Sequence, residues 1–398
     1  MKVLFMSNTC LFYVILIKIL YGMTKYSMLI FLCLYSVQGQ SQKVIPTDNN
    51  QINGIDTVVH QSVLPFIKQQ SKVGISIGIY NKGEIANYNY GSTQIDKQEL
   101  PTNRTLYEIG SISKTFMGTL LAKAVKDEKL KMNDDIRLYL EGSYPNLEFK
   151  GSPIRLYQLV SHISGLPFFM PDSPNLFKNP NYDSLPFVIT RMQQNYSKQQ
   201  FMNDLHQVKL DTVPGFQFHY SNAGAQLLKY ILEKVYNKPF DKILEVNICR
   251  PLAMGNTNVI FEKNNTRLLA KGYDEKGNPM PYNPPMLDAA GGIYSNITDM
   301  LYYLKFHLNE LDEVVALSHM ITTGKINGYA VGLNWQEKLN TERKRKIWQS
   351  GGTFGFSSYC VLYPDLNIAI VLLTNESDRT AQSELEEVAD KIFHKISK

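Results

Sequence analysis

Between residues 73 and 79 the chain alternates, with Val73, Ile75, Ile77 and Ile79 separated by small or polar neighbours. That period of two predicts a strand buried on one face. Asn81-Lys82-Gly83 supplies a turn, and residues 85–90 return as a second strand. Residues 40–60, ahead of this hairpin, are polar and read as a loose lead-in. The period then changes. Phe116, Met117, Leu120, Leu121, Ala124 and Val125 recur at helical spacing, while Lys123, Lys126 and Asp127 fall elsewhere on the surface. This predicts a long helix that begins near Ser111 and ends near Lys129. From about 130 to 300 the pattern is helical and loop-rich. Residues 154–160 are short and periodic, 167–187 carry many Pro and Asn and read as a surface loop, and Leu227, Leu228, Ile231, Leu232 and Val235 form a helix stripe. The last part is rich in strand patterns, at 329–337, 346–349, 356–363 and 368–374, and residues 384–396 close as an amphipathic helix. Strands at both ends with helices between them predict an α/β fold of the α+β type. One antiparallel sheet is built from both chain ends and flanked by helices, with a mostly helical second lobe at about 130–300. No repeat or linker interrupts residues 40–398, which are read as a single domain.

The first 39 residues follow a different pattern. They hold Lys2, Lys18 and Lys25, no acid, and two apolar runs at 11–20 and 28–37. Neither run reaches the roughly 18–20 residues of a spanning helix. The second has the layout of a signal peptide: Met23-Thr24-Lys25, an apolar core at 28–35, and Gly39 before Gln40. Residues 1–39 are therefore expected to direct export to the periplasm or beyond, with cleavage near Gln40 and a start codon at Met23 as an option. An uncleaved membrane anchor is the alternative, and the leader is the only expected membrane contact.

The leader also explains most of the basic charge. The chain has 41 basic residues, which fall to 38 once its three lysines are set aside, against 36 acidic ones. No nucleic-acid footprint remains. The one dense basic run, Arg343-Lys344-Arg345-Lys346, reads as a solvated hairpin loop. Cys10 and Cys33 lie in the leader, and Ile30-Phe31-Leu32-Cys33 lacks the small residues that precede a lipid-modified cysteine. Cys249 and Cys360 have no metal or redox spacing and are expected in the core. Seven scattered histidines show no ligand spacing, so neither a metal nor any other cofactor is expected. The absence of G-x-S-x-G around Ser111 argues against an α/β-hydrolase.

The candidate chemistry sits at the start of the long helix. Gly110 allows a turn into it, Ser111 stands at its positive end, and Lys114 follows one turn later on the same face. A hydroxyl beside an amine can form an acylation centre. On its own, Ser-x-x-Lys recurs by chance about once or twice in a chain this long. Two further polar stations accompany it: Tyr220 with Asn222, and Gln349-Ser350-Gly351-Gly352-Thr353 at a strand start. Taken singly, Tyr220 could be a core phenol, Asn222 a helix cap, and the glycines a bulged edge strand.

The order of segments adds more than any one of them. Ile109-Gly110-Ser111-Ile112-Ser113-Lys114 is followed by Leu159-Val160-Ser161-His162-Ile163-Ser164-Gly165-Leu166-Pro167. Pro214-Gly215-Phe216, Phe218-His219-Tyr220-Ser221-Asn222 and Pro251-Leu252-Ala253-Met254-Gly255 come next. Ala290-Gly291-Gly292-Ile293 and Gly351-Gly352-Thr353 with Gly355-Phe356 complete the series. In this order they resemble the serine β-lactamase and penicillin-binding-protein superfamily, in its branch of class C β-lactamases, D-alanyl-D-alanine carboxypeptidases and related esterases. The resemblance covers nearly the whole chain after the leader and implies a β-lactamase/transpeptidase-like fold.

It also implies a serine hydrolase in which Ser111 forms an acyl-enzyme on an amide, either a β-lactam or a D-Ala-type peptide. Lys114 and Tyr220 would act as coupled acid and base. Free lysine and tyrosine both titrate near pH 10, so either burial must lower Lys114 for it to act as base, or a cationic Lys114 must stabilise the Tyr220 phenolate. The resemblance further assigns substrate binding to Asn222, Gln349, Gly351, Gly352 and Thr353, and an oxyanion hole to the backbone N–H groups of Ser111 and Gly352. His162 and Ser164 are expected as structural supports. One position departs from the family. Relatives carry Lys or His where this chain has Gln349, which can donate a hydrogen bond but holds no charge. Weaker binding of carboxylate-bearing substrates follows, leaving open a carboxylic ester hydrolase or a slowly deacylating penicillin-binding protein. The expected partner is a small-molecule or peptide substrate, and the expected state a monomer.

Overall fold

A computed structural model describes residues 44–259 and 267–398. The leader and its cleavage site near Gln40 lie outside the described residues. In chain order, helix α1 (Gly54–Ile67) precedes strands β1 (Gly74–Asn81) and β2 (Glu84–Gly91). Helices α2 (Ser113–Lys126), α3 (Asn222–Tyr236) and α4 (Ile297–His307) follow. The chain closes with β3 (Thr323–Gly324), β4 (Ala330–Val331), β5 (Gln336–Leu339), β6 (Arg345–Gly352), β7 (Ser357–Tyr363) and β8 (Ile368–Thr374), then helix α5 (Ala381–Ile396).

These eight strands form one antiparallel sheet in the order β2-β1-β8-β7-β6-β5-β4-β3. The two chain ends meet within it, where β1 pairs with β8 and Ile77 faces Leu372. Alternation decides which face each residue serves. Ile75, Ile77, Ile79, Ile368, Ile370 and Leu372 pack under α1 and α5, against Val59, Val63, Phe66, Leu385, Val388 and Ile392. Ala369, Val371 and Leu373 point the other way, into the larger core with Phe116, Leu120, Met300, Leu304 and Leu227. With helices on both faces, the central strands are buried throughout, so their sequence reads as apolar runs. Ile45–Lys398 clusters as one compact unit.

Several expectations need correction. The polar lead-in contains the start of α1. Asn53 and Asp56 form a reciprocal capping box at its start, and its buried stripe begins only at Val59. The long helix does not start at Ser111. Gly110–Ile112 is a 3₁₀ turn and the α-helix begins at Ser113. The single strand expected at 329–337 is two strands, parted by a tight turn in which Gly332 N–H bonds Trp335 O and Asn334 has φ +66. The surface loop at 167–187 holds a 3₁₀ turn, Pro174–Phe177, and its end enters the helix Leu185–Gln194. The basic run is only half solvated. Arg343 and Lys344 are exposed, whereas Arg345 bonds Glu310 and Glu337, and buried Lys346 bonds Glu386 and Asp390. Cys249 and Cys360 are buried and unbridged, as expected. No helix among the described residues is long and apolar enough to cross a membrane.

Candidate active site

Gly110 adopts φ +52, and a Cβ there would stand 2.5 Å from Gly352 N. A Cβ on Gly351 would lie 2.1 Å from Ile109 O and 3.0 Å from Ser111 N. Only glycines permit the end of β6 to come this close to the turn that carries Ser111. Ser358, opposite Gly351 in the β6–β7 register, fixes the approach by donating from Oγ to Ile109 O at 2.8 Å.

Lys114, in the first turn of α2, is fully buried. Its Nζ lies 3.0 Å from Ser111 Oγ and also donates to the Ala290 carbonyl. Tyr220, on the loop entering α3, donates from Oη to Ser111 Oγ at 2.5 Å. The Lys114 amine lies 4.8 Å from the centre of the Tyr220 ring. One hydroxyl thus meets an amine and a phenol at once. Burial, with no carboxylate partner, pulls the Lys114 amine down to about 7. Burial pushes the Tyr220 phenol up to about 12, although its bond to Ser111 pulls the other way. At neutral pH the lysine therefore has an accessible lone pair, while the phenol keeps its proton.

The surrounding groups hold this trio. His162 has φ +58 and packs tilted against Tyr220, with 4.2 Å between ring centres. Its Nδ1 accepts from Ser221 N–H at 3.2 Å. Burial, with the Lys114 charge adding to it, brings the imidazole down to about 3, so it stands neutral. Ser221 bonds Pro167 O and caps α3 through Gly224 N–H. The cap is thus Ser221, and Asn222 is the first helical residue, nearly buried, with its backbone N–H on Phe168 O at 2.9 Å.

Gln349 lies in the buried part of β6 and is tied to neutral partners. Its Nε2 donates to Asn334 O at 2.7 Å, and its Oε1 accepts from Gln336 Nε2 and from Ser350 N–H. Thr353 donates its backbone N–H to Phe356 O at 2.9 Å. Ser111, Lys114 and Tyr220 are brought into mutual contact, Gly351 and Gly352 beside them, and Gln349 into a network behind the strand.

Three contributors gave no signal of their role in the sequence. Ala290 acts through its carbonyl, which any residue would supply. Asn334 donates to Lys114 O at 2.9 Å and accepts from Gln349, a role created by the turn between β4 and β5. Glu108 stands three residues before Ser111 with its carboxyl in the interior, where the local pattern is that of a strand. Among the described residues, no group of His, Cys, Asp and Glu is placed to hold a metal.

The model of the β-lactamase family matches residues 59–392, most of the chain and all the segments above. The chain belongs to the β-lactamase family. A β-lactamase of Pseudomonas fluorescens is 27% identical over 369 residues, covering 82% of this chain and 95% of that protein. Among solved structures, a β-lactamase/D-alanine carboxypeptidase from Pseudomonas syringae superposes with a TM-score of 0.72 at 21% identity, covering 86% of this chain and 99% of its own. A class C β-lactamase does so with a TM-score of 0.72 at 23% identity, over 85% and 96%. The fold is β-lactamase/transpeptidase-like, and the chain is a β-lactamase-family hydrolase.

Proposed function

We propose that this hydrolase is an exported serine enzyme that cleaves an amide, a β-lactam or a D-Ala-type peptide, through an acyl-enzyme on Ser111. The observation that carries the reading is the fully buried, carboxylate-free Lys114 amine 3.0 Å from Ser111 Oγ. Neutral Lys114 takes the Ser111 proton as Oγ attacks the carbonyl carbon. The resulting oxyanion is held by the N–H groups of Ser111 and Gly352, donors of a kind whose loss costs about 10²–10³ in rate. Tyr220 gives its proton to the leaving nitrogen, and the Lys114 cation stabilises the phenolate until the proton returns to it. Water then attacks the acyl carbon with the same pair as base. Asn222 and Thr353 bound the substrate from either side.

A second reading, a carboxylic ester hydrolase, is favoured by Gln349. A neutral side chain engaged with Asn334, Gln336 and Ser350 offers no charge to a substrate carboxylate. Incubation with a chromogenic cephalosporin, a fluorescent penicillin and a short-chain nitrophenyl ester tests both. Turnover of the lactam supports the first reading and ester-only cleavage the second. Ser111→Ala is expected to abolish covalent labelling while the fold survives, and labelling of that variant overturns both.

A further inference from the structure

Glu108 forms a two-residue strand with Tyr107, pairs with Tyr294 across a short ladder, and is 1% exposed. Its Oε1 accepts the backbone N–H of Asn283 at 2.6 Å. Asn283 in turn donates from Nδ2 to Gly291 O at 3.0 Å, one residue beyond the Ala290 carbonyl that receives Lys114. The side chains of Thr353 and Tyr294 also turn toward the carboxyl. Thr353 directly follows Gly352, so this one carboxyl lies near the strand beside Ser111 and is linked, through Asn283, to the turn that orients the lysine.

We propose that Glu108 is a positioning residue that keeps the Gly352–Thr353 end of β6 and the Ala290–Gly291 turn in register with Ser111. The inference rests on the reading of Ser111 as nucleophile and Lys114 as base. Its physical basis is the state of the carboxyl. The titratable groups facing Glu108 are Tyr282, on the 279–284 segment, and Tyr294, on the paired strand. Both are phenols raised by burial, and no cation among the described residues offsets a charge there. Burial accordingly pushes Glu108 up to about 7. In either state it accepts the Asn283 N–H. Once ionised, it sets an unpaired negative charge beside the strand that must stabilise a developing oxyanion, and like charge opposes that transition state.

The test is the pH dependence of acylation from pH 5 to 9, using whichever of the cephalosporin, penicillin or nitrophenyl ester the wild-type protein accepts. Lys114 must lose its proton and Glu108 must keep its own, so the wild-type profile is bell-shaped with both limbs near 7. Glu108→Gln is isosteric and cannot ionise; it is expected to remove the alkaline limb and leave a rise to a plateau. Thr353→Val deletes a hydroxyl that holds the Glu108 value down, so its alkaline limb is expected at higher pH. An unchanged bell in Glu108→Gln, or a loss equal at every pH, overturns the inference. If Glu108→Gln does not fold, an alkaline limb unmoved in Thr353→Val overturns it instead. Failure of the underlying reading shows separately, as labelling that persists in Ser111→Ala.

Discussion

Lys114 and Lys72 are both buried lysines, and their surroundings give them opposite chemistry. Lys72 meets three carboxylates, Glu376 at 3.0 Å, Asp378 at 2.6 Å and Glu384 at 2.9 Å. Burial pulls its amine down, yet those acids hold it above the ordinary lysine range. Within that cluster burial lifts Glu376 to about 8, while the bond from Lys72 helps hold Asp378 at about 2. Lys114 has only a hydroxyl and a carbonyl as partners, and falls to about 7. Lys72 thus becomes a permanent cation tied to the segment leading into α5, while Lys114, the more deeply buried of the two, becomes a titratable amine beside Ser111. Depth of burial and partner set together decide which.

The largest expected consequence is at Lys114. Lys114→Met should slow acylation by about 10³–10⁴, as followed by stopped-flow labelling. The same variant should be more stable at neutral pH. A lysine whose folded value lies below its unfolded one gives stability that rises with pH between about 7 and 10.5, so the wild type is penalised below that window. Removing the amine lifts the penalty, by about 0.5–2 kcal/mol in a denaturant titration.

Lys72→Met should do the reverse. It leaves buried carboxylates unpaired, costing about 3–5 kcal/mol of stability, while the acylation rate per folded molecule changes by less than about twofold, a surface-like effect on the chemistry. In the wild type, Lys72 adds stability that persists below its unfolded value near 10.5 and is lost as pH rises through its higher folded one.

A third difference is in pH response at constant sequence. Below about 7, acylation should fall toward tenfold per pH unit as Lys114 gains its proton. A melting curve monitored over the same range should show no matching step from Lys72. The smallest effect belongs to Gln349→Lys, which introduces a further buried amine, near Asn334 O and Gln336. The expected gain in acylation by the fluorescent penicillin is about tenfold or less, equivalent to roughly 1.4 kcal/mol. Its absence would count against Gln349 as a determinant of lactam binding.

Much of the fold was legible because the sheet's core strands carry their own pattern. Residues 368–374 read as one apolar strand and are one. That Ser111, Lys114 and Tyr220 would come together was expected from the resemblance carried by the ordered segments, and they are in contact. What escaped depends on contacts distant in sequence. Lys72 gave no hint of its three acids, which lie some 300 residues away. Lys346 looked solvated because its partners, Glu386 and Asp390, belong to the closing helix. Glu108 and Asn334 acquire their roles from turns that bring separate segments together. The start of α1 was hidden by its polar first turn, although Asn53 and Asp56 carried a readable capping signal.

The most direct measurement is a pH titration of the protein with isotope-labelled lysine side chains, followed by NMR, with Lys114→Met and Lys72→Met assigning those two amines. The Lys114 resonance is expected to titrate near 7 while Lys72 stays protonated past the ordinary lysine range. A Lys114 resonance that titrates with the exposed lysines, near 10.4, would contradict the assignment of this amine as the base that activates Ser111.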